Sequence, residues 1–416
     1  MSGIQSQLIA AQGAKKIIQR LPLKDKQAIL IGISEKLLDN IDLILEENKK
    51  DLDRMDPSDA KYDRLLLTKE RIVALSNSVL DIANLPDPTG VVLSSKTLDN
   101  GLEIVKKTVA LGVVGVIYEA RPNVTIDVAA LCIQSGNVCL LRGGSDAIYT
   151  NTCLVRLIQE VLKEQGTDVH LVQLLPTDRE LVNVLLTATQ YVDIIIPRGS
   201  QALIDLVRDN AKVPVIETGA GVCHTYVDKT ADLDKAVAIV VNAKTSRPSV
   251  CNALDTVLVD KEVAQPFIQK LIEPLLPFKV EVFASDEVYA FFEQARYPYL
   301  VRARDEDFGR EFLDFKCSIK AVAGLDEALN HIEKYSSKHS ECIVSEDSGN
   351  IETFLELVDA AAVYANASTR FTDGGEFGLG AEIGISTQKL HARGPFALEK
   401  LVTEKWYIRG NGQIRK

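Results

Sequence analysis

Cys251 carries the side chain best suited to nucleophilic chemistry in this sequence, and its setting raises the first question. The basic residues Lys244 and Arg247 precede it, and the apolar stretch LDTVLV follows it from Leu254. Neighbouring cations lower the pKa of a thiol, and the thiolate is the reactive form. Packing is the alternative interpretation, because free cysteine is among the most buried residue types. The residues alone leave both interpretations open.

The other cysteines give no sign of a disulfide framework or a metal site. The chain has seven cysteines, an odd number, spread along its length without a C-x-x-C pair. Cys223 and His224 are adjacent but too few to hold a metal, so we expect none. We expect reduced thiols in a cytoplasmic protein. Five cysteines lie in apolar patterns and are predicted core residues: Cys132, Cys139, Cys153, Cys317 and Cys342.

Polar residues also occur where apolar, strand-like stretches end. Asn123 follows Arg121 in EARPNVTID, and it suits either a helix cap or a donor to a developing oxyanion. Glu217 ends the stretch VPVIE and suits either an exposed strand edge or a site carboxylate. The small residues after it, Thr-Gly-Ala-Gly, permit a close approach of the backbone. The residues leave these alternatives open.

Two glycine turns, LLRGGSD and PRGSQ, each join an apolar strand to a helix. A helix N-terminus offers unpaired amides and a positive dipole end, which suit a phosphate. Ser145 and Ser200 are equally suited to be ordinary helix caps. The G-x-G-x-x-G signature of dinucleotide binding is missing, and so is a P-loop.

The spacing of apolar residues predicts the elements that position these groups. The first ~85 residues have helical periodicity, and the stretch PDPTG from Pro86 ends it. From Gly112, short apolar strands, the last of them VPVIETGAG, alternate with helices, which is typical of a parallel, doubly wound sheet. The two glycine turns then lie at its carboxyl edge, where such sheets bind ligands. A second unit of this kind begins near Asp232.

Length and charge exclude other classes of protein. The chain has 416 residues, enough for two or three domains, and a net charge of −11. Nucleic acid and an anionic membrane surface are therefore unsuitable partners, and an anionic substrate needs a local positive site. The apolar segment LGVVGVIY is much shorter than the ~18 residues of a membrane span. The N-terminus lacks the features of a signal peptide.

Five stretches together resemble the gamma-glutamyl phosphate reductases, also called glutamate-5-semialdehyde dehydrogenases, a branch of the aldehyde dehydrogenase superfamily. These stretches are YEARPNVTIDVAALCIQSGNVCLLRGGSDA, PRGSQALIDLV, VIETGAG, RPSVCNALDTVLV and YANASTRFTDGGEFGLGAEIGISTQKLHARGP. The last is the most specific, and the resemblance covers nearly the whole chain. It also accounts for the missing glycine signature, because this superfamily binds its dinucleotide without it.

The resemblance implies an α/β fold of the aldehyde dehydrogenase type, with two doubly wound α/β domains and a small β oligomerisation arm. It implies a homo-oligomer, and transient contact with glutamate 5-kinase is a further expectation. The expected segments are a nucleotide-binding domain at 1–97 and 111–231 with part of 361–392, a catalytic domain at 232–360, and the arm at 98–110 and 393–416.

The resemblance also assigns residues. Cys251 matches the nucleophile of the family, and Asn123 matches the asparagine that lines the oxyanion hole. Arg121, Arg198 and Arg247 are hypotheses from sequence position for binding the substrate, because guanidinium groups suit phosphate and carboxylate. The expected cofactor is NADPH, with these binding residues: Arg142, Gly143, Gly144, Ser145, Pro197, Gly199, Ser200, Glu217 and Gly219.

Two departures from the wider superfamily concern the site. Arg247-Pro248-Ser249-Val250 stands where Gly-Gln usually precedes the catalytic segment, and Thr218 and Ala220 alter the Glu-Leu-Gly-Gly motif. The second departure puts in doubt the role of Glu217 as a base that activates water. It fits the chemistry of this branch, which releases its acyl group without water.

The implied reaction is the reduction of gamma-glutamyl phosphate to glutamate 5-semialdehyde in proline biosynthesis. Cys251 attacks the acyl carbon, phosphate leaves, and hydride from NADPH reduces the resulting thioester. The alternatives are an acylating aldehyde dehydrogenase that uses coenzyme A, an oxidising one that uses water, and a catalytically silent dinucleotide-binding scaffold. Dependence of the reverse reaction on inorganic phosphate separates the first interpretation from the others.

Overall fold

The computed structural model describes residues 3–57, 59 and 61–415, and this part of the chain divides into two compact units. Unit 1 comprises Met1–Thr218, Gly378–Gly384 and Pro395–Lys416, and unit 2 comprises Gly219–Phe377 and Ile385–Gly394. Each unit has its own parallel β-sheet, with α-helices in most of the connections between its strands. No helix in the described residues is long and apolar enough to cross a membrane.

Helices open unit 1, which confirms the prediction from the N-terminal periodicity. Their apolar residues, spaced three and four apart, form the buried side of each helix. Thr68 caps the last of them by accepting a hydrogen bond from the Arg71 amide (3.2 Å). The helices are α1 (Gln5–Ile18), α2 (Leu23–Asp39), α3 (Ile41–Leu52), α4 (Tyr62–Leu65) and α5 (Lys69–Asn84).

Three strands follow the helices of unit 1, and from β3 onward strands and helices alternate. The elements are β1 (Val92–Thr97), β2 (Glu103–Ala110), β3 (Val113–Tyr118), α6 (Pro122–Gln134), β4 (Val138–Gly143), α7 (Ile148–Glu164), β5 (Val172–Leu174), α8 (Arg179–Leu186), β6 (Ile194–Arg198) and α9 (Gln201–Asn210). All six residues of β3 are buried, as expected of a parallel strand covered on both faces.

The strand order β5-β4-β3-β6 determines where this sheet binds ligands. All neighbours are parallel. The chain adds β4 and β5 on one side of β3 and then places β6 on the other side. This reversal creates a topological switch point, where open α/β sheets bind ligands outside the carboxyl ends of the strands. At that edge Tyr118 of β3 lies opposite Gly143 of β4 and Arg198 of β6.

Unit 2 contains a second parallel sheet, with the order β10-β9-β11-β8-β7-β12-β13 among its described strands. Cys251 lies in the loop between α10 and the amino end of β8. The elements are β7 (Cys223–Val227), α10 (Leu233–Thr245), β8 (Leu254–Asp260), α11 (Ala264–Leu275), β9 (Glu281–Ala284), α12 (Asp286–Gln294), β10 (Leu300–Arg302), β11 (Lys316–Val322), α13 (Leu325–Tyr335), β12 (Ser340–Val344), α14 (Ser348–Leu357), β13 (Ala362–Ala365) and β14 (Ile385–Ser386). The short strand β15 (Gly394–Pro395) begins with the last residue of unit 2 and ends with Pro395 of unit 1.

The last strand, β16 (Val402–Arg409), pairs antiparallel with β2, and β1 pairs antiparallel with β2 on the other side. These strands form an antiparallel sheet in the order β1-β2-β16. The sequence places β1 in the nucleotide-binding domain, whereas its partner in the structure is β2 of the expected arm. Hydrogen-bond partners of a short strand depend on tertiary pairing, which its own residues do not specify.

The boundary between the units also differs from the expected position at 231/232. Unit 2 begins at Gly219, because β7 lies between β8 and β12 in the second sheet. The stretch VPVIETGAG is not a regular strand, since Val215 forms only an isolated bridge to Ile195. Within the expected range 361–392, Gly378–Gly384 belongs to unit 1.

Candidate functional site

The carboxyl edge of the unit 1 sheet gathers several of the predicted segments. The loop after β3 begins at Glu119, the loop after β4 at Gly144 and the loop after β6 at Gly199. The three loops are adjacent because the strands are neighbours in register, and the Glu119 amide donates to the Arg198 carbonyl (3.2 Å). This edge is the switch point at which an open α/β sheet binds ligands.

The turn at Gly199 and Ser200 is held by a carboxylate of the protein itself. Ser200 caps α9 by accepting from the Leu203 amide (3.4 Å), which confirms the helix-cap interpretation. Its own amide and hydroxyl donate to the two Glu119 carboxylate oxygens, at 2.9 and 3.0 Å. A Cβ at Gly199 would lie 2.8 Å from Glu119 Oε2, so glycine permits this approach. Glu119 was missed in the sequence, although its position directly after a buried strand is a signal.

Arg142 lies near the end of β4 and points to the loop after β5. Its Nη2 donates to the Thr177 carbonyl (2.7 Å), and its Nε is buried with no hydrogen-bond partner among the described residues. Burial and the charge of Arg179 lower the pKa of Arg142. A buried donor without an acceptor, next to a second cation, fits the binding of an anion such as a dinucleotide phosphate.

Two neighbours of Arg142 have structural roles. A Cβ at Gly143 would overlap Asn151 Nδ2 and approach the Tyr118 ring to 3.2 Å, so packing alone requires glycine there. Ser145 is exposed and begins a short 3₁₀ helix without capping it. Its carbonyl accepts from Arg54 Nη1 (3.3 Å). Of the two predicted serine caps, Ser200 is therefore confirmed and Ser145 is wrong.

Asn123 presents its side-chain amide at the start of α6. It is the second residue of the helix, and Arg121 occupies the capping position, so the interpretation of Asn123 as the cap is wrong. Asn123 Nδ2 donates to Asp127 Oδ2 one turn later (3.1 Å). An amide nitrogen carries two hydrogens, so this bond orients Asn123 and leaves one donor for another acceptor.

Asp127 and Arg198 complete a polar cluster with Asn123. Burial raises the pKa of Asp127 to about 7; Asn123 and the charge of Arg198 oppose this rise, and the Glu382 carboxylate adds to it. Arg198 Nε is buried with no hydrogen-bond partner in the described part of the chain. The structure thus brings two predicted residues together around a carboxyl group that the sequence pattern did not reveal.

Asp127→Asn is expected to remove a pH-dependent loss of stability. The unfolded carboxyl ionises near its ordinary pKa of about 4, whereas the folded one stays protonated up to about 7. The proton on the Asp127 carboxyl therefore stabilises the folded state at low pH. This contribution to the free energy of unfolding, about 2 kcal/mol for a half-buried group, is lost as pH rises through this window. Urea unfolding at about pH 4.5 and pH 8 should show the variant gaining stability relative to wild type at the higher pH. Equal changes in both proteins would contradict the assignment.

The remaining residues expected to bind the cofactor are divided between the units. Glu217 faces Arg208, with Oε2 3.6 Å from Nη1. The Thr218 hydroxyl donates to the Pro197 carbonyl (2.7 Å), which places this segment beside the end of β6. Gly219 is the first residue of unit 2, whereas the other predicted cofactor residues belong to unit 1.

Cys251 differs in exposure from every other cysteine. It is partly exposed, whereas the remaining six are buried. Burial raises the pKa of the Cys317 and Cys342 thiols to about 12, so these groups stay protonated. The five predicted core cysteines are confirmed as buried, and the core interpretation of Cys251 is wrong.

Gly221 packs directly against the backbone of Cys251. A Cβ at this position would overlap the carbonyl carbon and oxygen of Cys251. The Gly221 amide donates to Glu311 Oε1 (2.9 Å), and the Cys223 thiol donates to the Cys251 carbonyl (3.3 Å). The residues that lead into β7 therefore fix the Cys251 backbone. The close approach predicted for the small residues after Glu217 is confirmed at Gly221.

Lys244 has its charge paired inside the core of unit 2. The side chain is fully buried, with Nζ 3.7 Å from Asp255 Oδ1 and donating to the Asp314 carbonyl (3.1 Å). Burial raises the pKa of Asp255 to about 7, and the charge of Lys244 opposes this rise. Lys244, the first of the two cations that precede Cys251, therefore has its charge paired away from the thiol.

Arg370 supplies a cation near Cys251. Its Nη1 donates to Oδ1 of Asn252, the residue after the cysteine, and its Nε donates to Ser246 Oγ (3.1 Å). Burial and the charge of Arg247 lower the pKa of Arg370, while Cys251 opposes this change. Arg370 belongs to the stretch NASTRFTDGG, whose specificity was the only signal for it in the sequence.

Known proteins with similar sequences and structures cover the whole chain. The aldehyde dehydrogenase family matches residues 3–288. A gamma-glutamyl phosphate reductase of Pelodictyon phaeoclathratiforme is 52% identical over 414 residues, which are 99% of this chain and 99% of that protein. The crystal structure of a gamma-glutamyl phosphate reductase from Thermotoga maritima has a TM-score of 0.93 at 41% identity, covering 99% of this chain and 100% of that one.

A more distant structure has the same fold. An engineered glycolyl-CoA reductase with bound NADP+ is 17% identical, with a TM-score of 0.72 over 98% of this chain and 96% of its own. The nearer relatives confirm the resemblance seen in the five stretches and the expected α/β fold class. The chain belongs to the aldehyde dehydrogenase family, in the branch of the gamma-glutamyl phosphate reductases.

Proposed function

We propose that the chain reduces gamma-glutamyl phosphate to glutamate 5-semialdehyde and phosphate with NADPH, as a step of proline biosynthesis. The observation that carries the proposal is the setting of Cys251. A partly exposed thiol, with a fixed guanidinium nearby, lies at the amino end of β8 in a chain that its relatives match over their full length. A thiol in such a setting suits attack on an activated acyl group.

The proposed chemistry begins at the Cys251 sulfur. The thiolate attacks the acyl carbon, the bond from that carbon to the phosphate oxygen breaks, and its electron pair leaves with the phosphate. The leaving group needs no strong acid, and the thioester divides one difficult step into two. The resemblance implies that the Asn123 amide and the Cys251 backbone amide donate to the oxyanion. When bound, the nicotinamide would supply the hydride that reduces the thioester. The carbon–sulfur bond then breaks, its electron pair returns to the Cys251 sulfur, and the semialdehyde is released.

The proposed dinucleotide site is the carboxyl edge of the unit 1 sheet, with Arg142 as its anchor. Arg142 and Arg179 together suit the 2′-phosphate of NADPH, which NADH lacks. At the N-terminus of α9, the pyrophosphate and the Glu119 carboxylate are alternative acceptors for the Ser200 amide. The other predicted cofactor residues keep the roles that the resemblance implies.

The predicted substrate arginines differ in their surroundings. Arg247 and Cys251 both lie close enough to Arg370 for their charges to affect its pKa. The charge of Arg198 lowers the pKa of Asp127, and Arg121 occupies the capping position of α6. We therefore propose Arg247 for the acyl phosphate, and the roles of Arg121 and Arg198 stay predictions. Glu217 faces Arg208, which supports chemistry that does not use it as a base for water.

The reverse reaction tests the proposed function. Oxidation of glutamate 5-semialdehyde, followed by the absorbance of NADPH, is expected to require inorganic phosphate. It should also proceed faster with NADP+ than with NAD+. Turnover with water alone would indicate an oxidising aldehyde dehydrogenase, and turnover that requires coenzyme A would indicate an acylating one. Cofactor binding without any thiol-dependent turnover would indicate a silent scaffold.

The antiparallel sheet β1-β2-β16 supports the expected self-association. β1 and β16 are its outer strands, and β16 exposes Trp406 and Ile408, at 56% and 62% of their surfaces. Outer strands with exposed apolar residues suit pairing with another chain. We propose a homo-oligomer formed through this sheet. The contact with glutamate 5-kinase and the cytoplasmic location stay predictions.

A further inference from the structure

The segment after β13 carries Arg370 back toward Cys251. The chain turns at Asn366, whose φ of 55° is left-handed and whose amide donates to the Ile343 carbonyl (2.8 Å). It then runs to Thr372, whose hydroxyl bonds to Ser340 at the start of β12 (2.7 Å). The segment therefore begins near the end of β12 and returns to the amino edge of the sheet, the edge at which Cys251 lies.

Asn252 fixes this segment to the loop of Cys251. Asn252 is buried, and its Nδ2 donates to the carbonyls of Arg370 (3.2 Å) and Thr372 (3.0 Å). Its own carbonyl accepts from the Thr369 hydroxyl (2.8 Å). These bonds, together with the one from Arg370 Nη1 to Asn252 Oδ1, tie Arg370 to the residue next to the thiol. The guanidinium is thus held in one position rather than extended into solvent.

Two of the three guanidinium nitrogens of Arg370 donate hydrogen bonds to protein side chains. Nε and Nη1 donate to Ser246 and Asn252, and Nη2 makes no hydrogen bond to any residue in the described part of the chain. Arg247 contributes a second positive charge nearby, and the acidic residues that act on Arg370 are Asp373 and Glu376. Two guanidinium groups beside a reactive thiol are suited to a phosphate group, which accepts several charge-assisted hydrogen bonds.

We propose that Arg370 binds the phosphate group of the acyl phosphate and holds it while it leaves. This inference rests on the proposed function and names the residue that binds the leaving group. As the sulfur–carbon bond forms and the carbon–oxygen bond breaks, the electron pair moves onto a phosphate oxygen. Arg370 then faces a growing negative charge, so its contact is stronger in the transition state than with bound substrate. No added proton is required.

The test is the kinetics of Arg370→Gln in the full-length chain. In the reverse reaction, the KM for inorganic phosphate is expected to rise about 10-fold or more, with the KM for glutamate 5-semialdehyde little changed. In the forward reaction, kcat with the acyl phosphate should fall. Arg370→Lys should recover part of the loss, because lysine keeps the charge but not the planar fork.

Arg302→Gln is the matched control. Arg302 is an exposed arginine of unit 2 that pairs with Asp286 (2.6 Å), so its loss should leave both KM values unchanged. A second measurement does not need turnover. Inorganic phosphate should slow the alkylation of Cys251 by iodoacetamide in wild type and in Arg302→Gln, but not in Arg370→Gln. If the glutamine variant does not fold, Arg370→Lys should show weaker protection of Cys251 by phosphate than wild type, because lysine keeps the charge but not the planar fork.

The outcomes separate the inference from the proposed function. Turnover of the wild type in the reverse reaction without phosphate would contradict both the proposed function and the role of Arg370. In a second outcome, the wild type requires phosphate while Arg370→Gln keeps the phosphate KM and the protection of Cys251 unchanged. This outcome would contradict only the role of Arg370. A rise confined to the KM of the semialdehyde would assign Arg370 to the carboxylate of the substrate and would also overturn the proposal.

Discussion

Cys251→Ala is expected to lose reductase activity by about 1,000-fold or more, because the thioester forms on the Cys251 sulfur and the other six cysteines are buried. The side chain is partly exposed, so its truncation should cost little stability and leave cofactor binding intact. The measurements are the steady-state rate with gamma-glutamyl phosphate, the titration of NADPH binding, and the far-ultraviolet circular dichroism of the variant. Substantial residual turnover would refute the assignment of the nucleophile.

Cys139→Ala is the control for this prediction. Cys139 is a buried thiol of β4 in unit 1. Truncation of a core side chain should reduce the free energy of unfolding by about 1 kcal/mol and leave kcat/KM near the wild-type value. Equal losses of activity in both variants would show that cysteine truncation acts through folding and not through chemistry.

Gly221→Ala is expected to reduce kcat/KM by about 100-fold or more, although residue 221 carries no reactive group. The added methyl group would overlap the carbonyl of Cys251, so either the loop of Cys251 or the start of β7 must move. A shift of the thiol by about 1 Å is enough to cost this factor. Steady-state kinetics and the rate of Cys251 alkylation together test whether the loss arises at the thiol.

Gly13→Ala is the matched control for a glycine substitution. Gly13 lies inside α1, and nothing lies within 4 Å of the Cβ that alanine would add. This variant should keep full activity and gain about 0.5–1 kcal/mol of stability from its higher helix propensity. Gly221→Ala with wild-type kinetics and alkylation would show that the loop tolerates the methyl group, contrary to the packing in the structure.

Patterns within single elements were sufficient for much of the fold. The N-terminal helices follow from apolar residues spaced three and four apart, and VVGVIY was predicted as a buried strand from its six apolar or small residues. The burial of five core cysteines followed from the same local patterns. These predictions succeed because the periodicity of an element and the burial of its apolar face are properties of neighbouring residues.

Pairing between separate helices and strands accounts for the differences between the sequence-based predictions and the structure. Val215 has the residues of a strand but forms only one bridge, and β7 joins the second sheet rather than the first. Lys244 precedes Cys251 in sequence, yet its charge is paired with Asp255 in the core. In each case the deciding partner belongs to another helix or strand, so the pattern within one element cannot identify it.

The sequence by itself determined the helices, the alternation of strands and helices, the family, and Cys251 as the candidate nucleophile. Only the tertiary structure decided which groups surround that thiol. Arg370 approaches Cys251 through Asn252, and Gly221 fixes the Cys251 backbone through a contact that excludes any side chain. Glu119 reaches Ser200 because β3 and β6 are adjacent. Such contacts join residues that are distant in the chain, and they depend on how the sheet is ordered rather than on any local sequence signal.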